Sequence, residues 1–284
     1  MESLKRIYLE AQRRLREAGV DDPALNAARI IEKHTGVRRF EIVLSDKFSF
    51  RDGAGAFWND VGRRCRREPL QYICGIWPFY GLDFFVGDGV LIPRPDTEVL
   101  VKTAADFLAG RGAPSFLELC AGSGCVTAAV LKTVPESTAV CVELSDKAAV
   151  YLKKNLEFHG LAYRAQTVTA DVLDKSTSRT LSGPFDALLC NPPYIKTGDL
   201  RGLEPEVARY EPSLALDGGP DGLKFYRAME PYLSLLKPGG LAAFEVGMGE
   251  DRDVSALLSS FGLSDVFVEK DFAGTGRVAG GFRA

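Results

Sequence analysis

The tetrad Asn191-Pro192-Pro193-Tyr194 stands directly after the apolar run Phe185 to Cys190. Two successive prolines fix two φ angles and remove two backbone donors, so the carbonyls of that loop face a site with no competing N–H groups. The Asn191 side-chain oxygen and the Pro192 carbonyl can then accept both hydrogens of a planar –NH₂ group, and Tyr194 offers a flat apolar face on which it can stack. The lone pair of an amide or aryl amine is delocalised and poorly nucleophilic. Two acceptors aim that nitrogen at an electrophile and stabilise the positive charge that grows on it. No strong general base is required, because the proton can leave after the new bond forms. Asn191, Pro192 and Tyr194 are the candidate catalytic residues, and Asn191 to Tyr194 the candidate substrate site.

The electrophile must come from a bound ligand. Phe116-Leu117-Glu118-Leu119-Cys120-Ala121-Gly122-Ser123-Gly124-Cys125 reads as a buried strand that turns through two glycines into a helix. Glycine there lets a ligand approach the backbone and frees the helix N-terminal N–H groups; a tight junction holding no ligand would look the same. The next strand, Val140-Cys141-Val142-Glu143, ends in a carboxylate. In a doubly wound sheet that acid lies beside the first loop, able to accept from both hydroxyls of a ribose. Its competing role is helix capping, which Ser145 already fills for the helix ended by Gly160. Asp171, after the third strand, is placed to accept from an adenine amino group or to close its own turn. The third position after Gly124 is Thr127, so the phosphate-binding Gly-x-Gly-x-x-Gly is absent. A ribose and an adenine without a pyrophosphate describe S-adenosylmethionine, whose sulfonium methyl is the electrophile the tetrad needs.

The elements that must position these loops follow from periodicity. From about residue 2 to 75 apolar residues recur at helical spacing, as in Leu4, Ile7, Tyr8 and Leu15, and Asp21-Asp22-Pro23 is a helix start. Gly75 to Val90 alternates aromatics with glycines, which suits a hairpin. Leu91-Ile92-Pro93-Arg94-Pro95-Asp96-Thr97-Glu98 then opens a helix with acids in its first turn. Beyond it the spacing predicts strand 115–120, helix 124–133, strand 138–143, helix 146–158, strands 165–170 and 185–190, helix 222–236, strand 240–246, helix 251–261, and strands near 263–269 and 277–283. That order implies an α/β fold: a Rossmann-like, mostly parallel sheet covered on both faces. The closing strands must pair antiparallel, since a parallel crossover needs a dozen or more residues. The expected division is a helical substrate-docking domain over 1–75, a β-hairpin linker over 76–92 and a catalytic domain over 93–284. The long 195–222 connection suits a substrate-covering loop.

Composition narrows the class. At 284 residues, with 46% hydrophobic and 26% charged residues, the chain is that of an ordinary globular protein, one large core with a smaller unit. No run reaches the roughly 18 apolar residues of a membrane span, and Met1-Glu2-Ser3-Leu4-Lys5-Arg6 leads into a charged helix, so a cytoplasmic protein is expected. The six cysteines form no close Cys-x-x-Cys pair, and the two histidines, His34 and His159, lack a second ligand at metal spacing, so buried free thiols and no metal are expected. Residues 1–75 hold 15 Lys and Arg against 11 Asp and Glu, a net of +4 that leaves −7 for the rest of the total of −3. The basic excess includes Arg63-Arg64 and Arg66-Arg67, a solvated face or a steering surface for an acidic partner.

These segments together resemble the release-factor glutamine methyltransferases, which modify the glutamine of the Gly-Gly-Gln motif in peptide chain release factors. The resemblance covers nearly the whole chain: Arg67-Glu68-Pro69-Leu70-Gln71-Tyr72-Ile73 with Gly75, Phe79-Tyr80-Gly81-Leu82, Leu91 to Glu98, Leu117 to Gly124, Cys190 to Ile195, Tyr210-Glu211-Pro212-Ser213-Leu214-Ala215-Leu216, and Lys270 to Gly274 with Arg277-Val278. It implies an S-adenosylmethionine methyltransferase sheet and S-adenosylhomocysteine as product. Its implied partner is a release factor, with no membrane. Implied cofactor contacts are Cys120, Ala121, Gly122, Ser123, Gly124, Glu143, Asp171, Val172 and Asn191. Cys120 and Ala121 stand where the family more often has Gly and Thr, and Glu143 replaces a commoner Asp; backbone and carboxylate are kept. Val172 replaces an aromatic found in some relatives, which removes adenine stacking there. The tetrad is also similar to that of adenine-N6 DNA methyltransferases and some guanine-directed RNA methyltransferases. A base in the clamp would need a positive groove, which the −7 of the catalytic half opposes. A binding protein without catalysis would show a broken cofactor loop or tetrad, and both are whole.

Overall fold

The computed structural model describes residues 3–44 and 48–284. The expected first-helix start at Glu2, and the Met1-Glu2 opening, lie outside the described residues. The chain divides into two compact units, one reaching Trp77 and taking in Glu204–Tyr210, the other formed by Pro78–Leu203 and Glu211–Ala284.

The first unit is helical: α1 (Leu4–Glu17), α2 (Pro23–Thr35), α3 (Gly53–Cys65) and α4 (Leu70–Cys74). Ser3 caps α1 and Asp22 caps α2, whose first residue is Pro23. Leu4, Ile7, Ala11 and Leu15 of α1 pack with Ile30, Ile31, Phe57, Val61 and Ile73. Beneath this core sits a buried charge cluster, in which Asp60 accepts from Lys33 Nζ at 2.6 Å and Arg63 Nη1 at 2.8 Å and lies 2.9 Å from His34 Nε2.

The basic run in this unit is not a free cationic face. Arg63 is held by Asp60 and Glu68, Arg64 bonds Asn26 Oδ1 at 2.7 Å and Glu206 at 2.8 Å, and Arg67 grips both oxygens of Glu206 at 2.6 and 2.8 Å. The 204–210 segment brings the neutralising carboxylate from far along the chain. Only Arg66 of the four is exposed.

A hairpin of β1 (Ile76–Phe79) and β2 (Leu82–Phe85) begins at the end of the first unit and runs into the second, where α5 (Glu98–Leu108) follows. The sheet follows: β3 (Ser115–Leu119), α6 (Cys125–Thr133), β4 (Thr138–Glu143), α7 (Asp146–Phe158), β5 (Ala165–Thr169), α8 (Thr177–Thr180) and β6 (Phe185–Cys190). After β6 the chain forms α9 (Pro205–Tyr210), within the first unit, and returns for α10 (Lys224–Ala228), α11 (Glu230–Leu233), β7 (Leu236–Glu245), α12 (Asp251–Ser260), β8 (Leu263–Lys270) and β9 (Gly276–Arg283).

Strand order is β5-β4-β3-β6-β7-β9-β8, parallel except at β9, which runs antiparallel to both neighbours. This is the Rossmann-like sheet expected, with its last strand reversed. Alternate side chains go to opposite faces. Phe116, Ala187, Leu189 and Ala243 meet α5 and α6 on one side; Leu117, Leu188, Ala242 and Phe244 meet α10, α11 and α12 on the other.

Two expectations change. The helix expected over 222–236 is two short helices, because Pro231 has no N–H to donate and ends one turn as it starts the next. The strand expected at 240 begins at Leu236, which pairs with Phe185 before a register shift absorbs Lys237-Pro238-Gly239-Gly240. The 195–222 connection is closed at its base, where Ile195 N donates to Leu216 O at 2.9 Å and Gly218 N to Ile195 O at 2.8 Å.

Candidate active site

All the candidate residues lie at the carboxyl ends of β3, β4, β5 and β6, where the sheet order switches direction between β3 and β6. A cavity of about 490 Å³ opens there. Its walls include Cys120 to Ser123, Glu143, Asp171, Val172, Asn191 and Pro193, together with Thr97 and Glu118. Gly124 caps α6 just behind the wall, while Pro192 and Tyr194 are next in the loop and do not line this cavity.

The glycine turn takes an unusual path. Cys120, Gly122 and Gly124 all have positive φ, at 58°, 54° and 76°. A Cβ at Gly124 would come within 2.4 Å of Leu152 Cδ1, so glycine is demanded there by both conformation and space. Ala121 N donates to Val142 O at 3.0 Å, tying the turn to β4.

Glu143 is buried, and its Oε2 accepts from Gly122 N at 2.7 Å while Oε1 accepts from Ser145 N at 2.8 Å. A carboxylate has about four lone-pair sites, so each oxygen retains acceptor capacity toward the cavity. Ser145 caps α7 through Ala148 N. Asp171 does close its own turn, Oδ1 accepting from Leu173 N at 2.8 Å. Val172 is buried in the apolar cluster and presents no ring.

In the tetrad, Asn191 Nδ2 donates to Thr97 Oγ1 at 3.1 Å, and Thr97 is almost fully buried. This bond uses the donor end of the Asn191 amide and leaves Oδ1 as the end available to a ligand. Tyr194 is clasped from behind. Its hydroxyl donates to Glu245 Oε1 at 3.3 Å, and a Cβ at Gly218 would lie 2.6 Å from its Cα. Burial, then the neighbouring Glu245 charge, pushes the Tyr194 phenol well above its ordinary range.

Three carboxylates here escaped the sequence reading as site residues. Glu118, fully buried, accepts from Thr127 N at 2.9 Å and from the Thr127 hydroxyl; burial raises its carboxyl to about 8 despite those bonds. Glu245, at the end of β7, is raised to about 7 by burial, opposed by the Thr97 and Tyr194 hydroxyls. Glu211 is buried, pairs with Arg94 and accepts from Ile92 N at 3.2 Å, which pins the Ile92-to-Thr97 segment beside the cavity. The signal for Glu118 and Glu245 is an acid inside an apolar strand, as in Leu241-Ala242-Ala243-Phe244-Glu245-Val246.

Beside Glu118, whose raised carboxyl keeps its proton at neutral pH, the cavity wall carries the acids Glu143, Asp171 and Asp217, against Arg94, which is neutralised by Glu211, and Lys224. Such a lining suits a cationic ligand and not a phosphate. Among the described residues no group of three or more His, Cys, Asp and Glu could hold a metal ion, and no helix is long and apolar enough to cross a membrane.

A seven-stranded sheet with its last strand reversed, carrying a glycine turn and a strand-end acid, is the architecture of a methyltransferase. The crystal structure of a methyltransferase from Pyrococcus furiosus matches it with a TM-score of 0.53 at 18% identity, over 78% of this chain and 98% of that one, a likeness of fold. The family model for the PrmC N-terminal domain matches residues 7–75, and that for the methyltransferase small domain residues 95–203. The release factor glutamine methyltransferase of Geobacter sulfurreducens is 39% identical over 94% of this chain and 92% of its own length. That of Caulobacter vibrioides is 38% identical over 99% and 96%. The chain belongs to the release factor glutamine methyltransferase family.

Proposed function

We propose that this protein methylates the side-chain amide nitrogen (N5) of the glutamine in the Gly-Gly-Gln motif of a peptide chain release factor. S-adenosylmethionine supplies the methyl group and becomes S-adenosylhomocysteine. The observation that carries the reading is the Asn191 Nδ2 to Thr97 Oγ1 hydrogen bond. It commits Asn191 Oδ1 to accepting, and an acceptor beside the Pro192 carbonyl is what a primary amide needs.

The cofactor reading is supported by the lining. Glu143 keeps acceptor capacity for a ribose, Asp171 retains one oxygen for an adenine amino group, and Val172 gives an apolar wall. The Cys120-to-Gly124 turn lets a ligand lie against backbone, and the acidic wall favours a sulfonium and an ammonium group. In the reaction Asn191 Oδ1 and the Pro192 carbonyl hold the two amide hydrogens, so that developing positive charge on nitrogen meets two fixed acceptors. Tyr194 and Pro193 shape the clamp around the planar group. Segment 212–215 of the 195–222 connection walls the cavity, which suits the covering role for that loop. The release factor is the protein partner, docked in part on the N-terminal unit.

Incubation of a release factor with enzyme and S-adenosylmethionine, followed by mass spectrometry of the Gly-Gly-Gln peptide, tests the reading. A peptide one methyl group heavier, with the methyl on glutamine, supports it; an unmodified peptide, or methyl incorporation into nucleic acid instead, refutes it.

A further inference from the structure

Glu245 is a buried carboxylate in the strand beside the tetrad, and among the described residues no basic side chain is bonded to it. The parallel register pairs Cys190 with Phe244, so the next residues, Asn191 and Glu245, lie side by side at the ends of β6 and β7. Only 1% of Glu245 is exposed, and among the described residues its Oε2 has no hydrogen-bond partner while Oε1 accepts from Tyr194. A buried acid in this condition costs stability, and a glutamine or an apolar residue would pack there more cheaply. The charge must therefore be kept for what it does to its neighbours, Thr97 and Tyr194, the two residues that hold the clamp.

We propose that Glu245 is a positioning residue that sets the direction of hydrogen bonding through the clamp. An ionised carboxylate only accepts. Facing it, the Thr97 hydroxyl turns its hydrogen toward Glu245 and has only lone pairs left for Asn191. Asn191 must then present its NH₂ to Thr97, as observed, and its oxygen to the substrate amide. The same carboxylate holds the Tyr194 hydroxyl and so fixes the ring at the far end of the tetrad. The inference rests on the reading of Asn191 to Tyr194 as an amide clamp.

Protonation undoes this polarity. A protonated Glu245 can donate to Thr97, which frees the Thr97 hydrogen for Asn191 Oδ1 and lets the amide turn over. The groups facing Glu245 are Asp96 and Thr97 before α5, Tyr194 after β6, Arg277 on β9, and Tyr226 on α10, which donates to the Glu245 carbonyl at 2.7 Å. Cys190 and Cys125 lie near it as well. Arg277 is divided between Asp96 and Asp271, so among the described residues no undivided cation holds the proton off. Methyl transfer should fall as pH drops through about 7.

The experiment is steady-state transfer to a Gly-Gly-Gln peptide or release factor, from pH 6 to 9, by wild type, Glu245→Gln, Thr97→Val and Thr97→Ser, with calorimetric binding of S-adenosylmethionine and a thermal melt for each. Expected are a kcat about tenfold or more lower for Glu245→Gln and Thr97→Val, folding retained in both, cofactor affinity retained in Glu245→Gln, and loss of the acidic limb near pH 7 in Glu245→Gln. Thr97→Ser should recover most of the rate lost in Thr97→Val, and the double variant Glu245→Gln/Thr97→Val should be no slower than either single one. A Glu245→Gln enzyme with wild-type kcat and pH profile, or Thr97→Ser as slow as Thr97→Val, overturns the inference alone. No transfer by the wild type overturns the clamp reading as well.

Discussion

Replacing Glu118 by glutamine should make the protein more resistant to alkaline conditions. Glu118 is fully buried on β3, its hydrogen-bond partner among the described residues being Thr127, and its carboxyl is raised from 4.5 to about 8. Burial is the main cause, and the nearby Glu143 charge adds to it. Between those two values the folded chain keeps a proton that the unfolded chain releases. Stability from this group is therefore complete below 4.5 and is lost as pH rises through 8. At about 1.4 kcal/mol per unit, the loss approaches about 5 kcal/mol above pH 8. Glutamine cannot ionise, still offers an oxygen to Thr127 N, and has the cavity for its NH₂ to face. Urea denaturation at pH 5, 7 and 9 for wild type and Glu118→Gln should show two curves that separate steadily with pH, the variant the more stable at pH 9. Glu245 contributes with the same sign and cancels in the difference. Parallel curves would refute the assignment of the titration to Glu118.

Three further outcomes follow from the geometry. Asn191→Ala should lower kcat by roughly 10² to 10³, the scale of losing one preorganised partner of developing charge, with cofactor affinity changed far less in calorimetry. Gly218→Ala puts a Cβ 2.6 Å from Tyr194 Cα and 2.8 Å from Gly222 O, contacts that only backbone movement can relieve, so methyl transfer should drop sharply in a rate assay while S-adenosylmethionine still binds. Asp60→Asn in the helical unit should cost about 3 kcal/mol at neutral pH in urea denaturation, since Lys33 and Arg63 lose their buried counter-charge. Burial works to raise the Asp60 carboxyl, but Lys33, His34 and Arg63 together hold it below 3.8; its contribution is present above that value and fades as pH falls beneath it, so the two proteins should converge in acid.

The parts legible in the sequence were those written in contiguous residues. The tetrad, the glycine turn and Glu143 each end a strand, and strand ends in a parallel sheet gather at one edge, so reading them in order was enough to bring Asn191 and Pro193, the turn and Glu143 to one cavity. Thr97 and Glu245 were not legible as parts of the clamp, because only tertiary register brings them to Asn191 and Tyr194 across 94 and 51 residues. The arginine run failed as a free surface for a similar reason: Glu206, which binds Arg64 and Arg67, stands 139 residues from Arg67. Local spacing reports helix faces well and says nothing of a carboxylate delivered from another loop. Asp171 kept both of its readings, since an acid that closes its own turn still has a second oxygen.

Methylation of a glutamine amide held by the Asn191-to-Tyr194 loop can be tested directly. The most direct measurement is tandem mass spectrometry of the Gly-Gly-Gln peptide from a release factor treated with S-adenosylmethionine and either wild type or Asn191→Ala. A methyl group is expected on the glutamine side chain with wild type and next to none with the variant. An unmodified glutamine with wild type, or equal methylation by both, would contradict it.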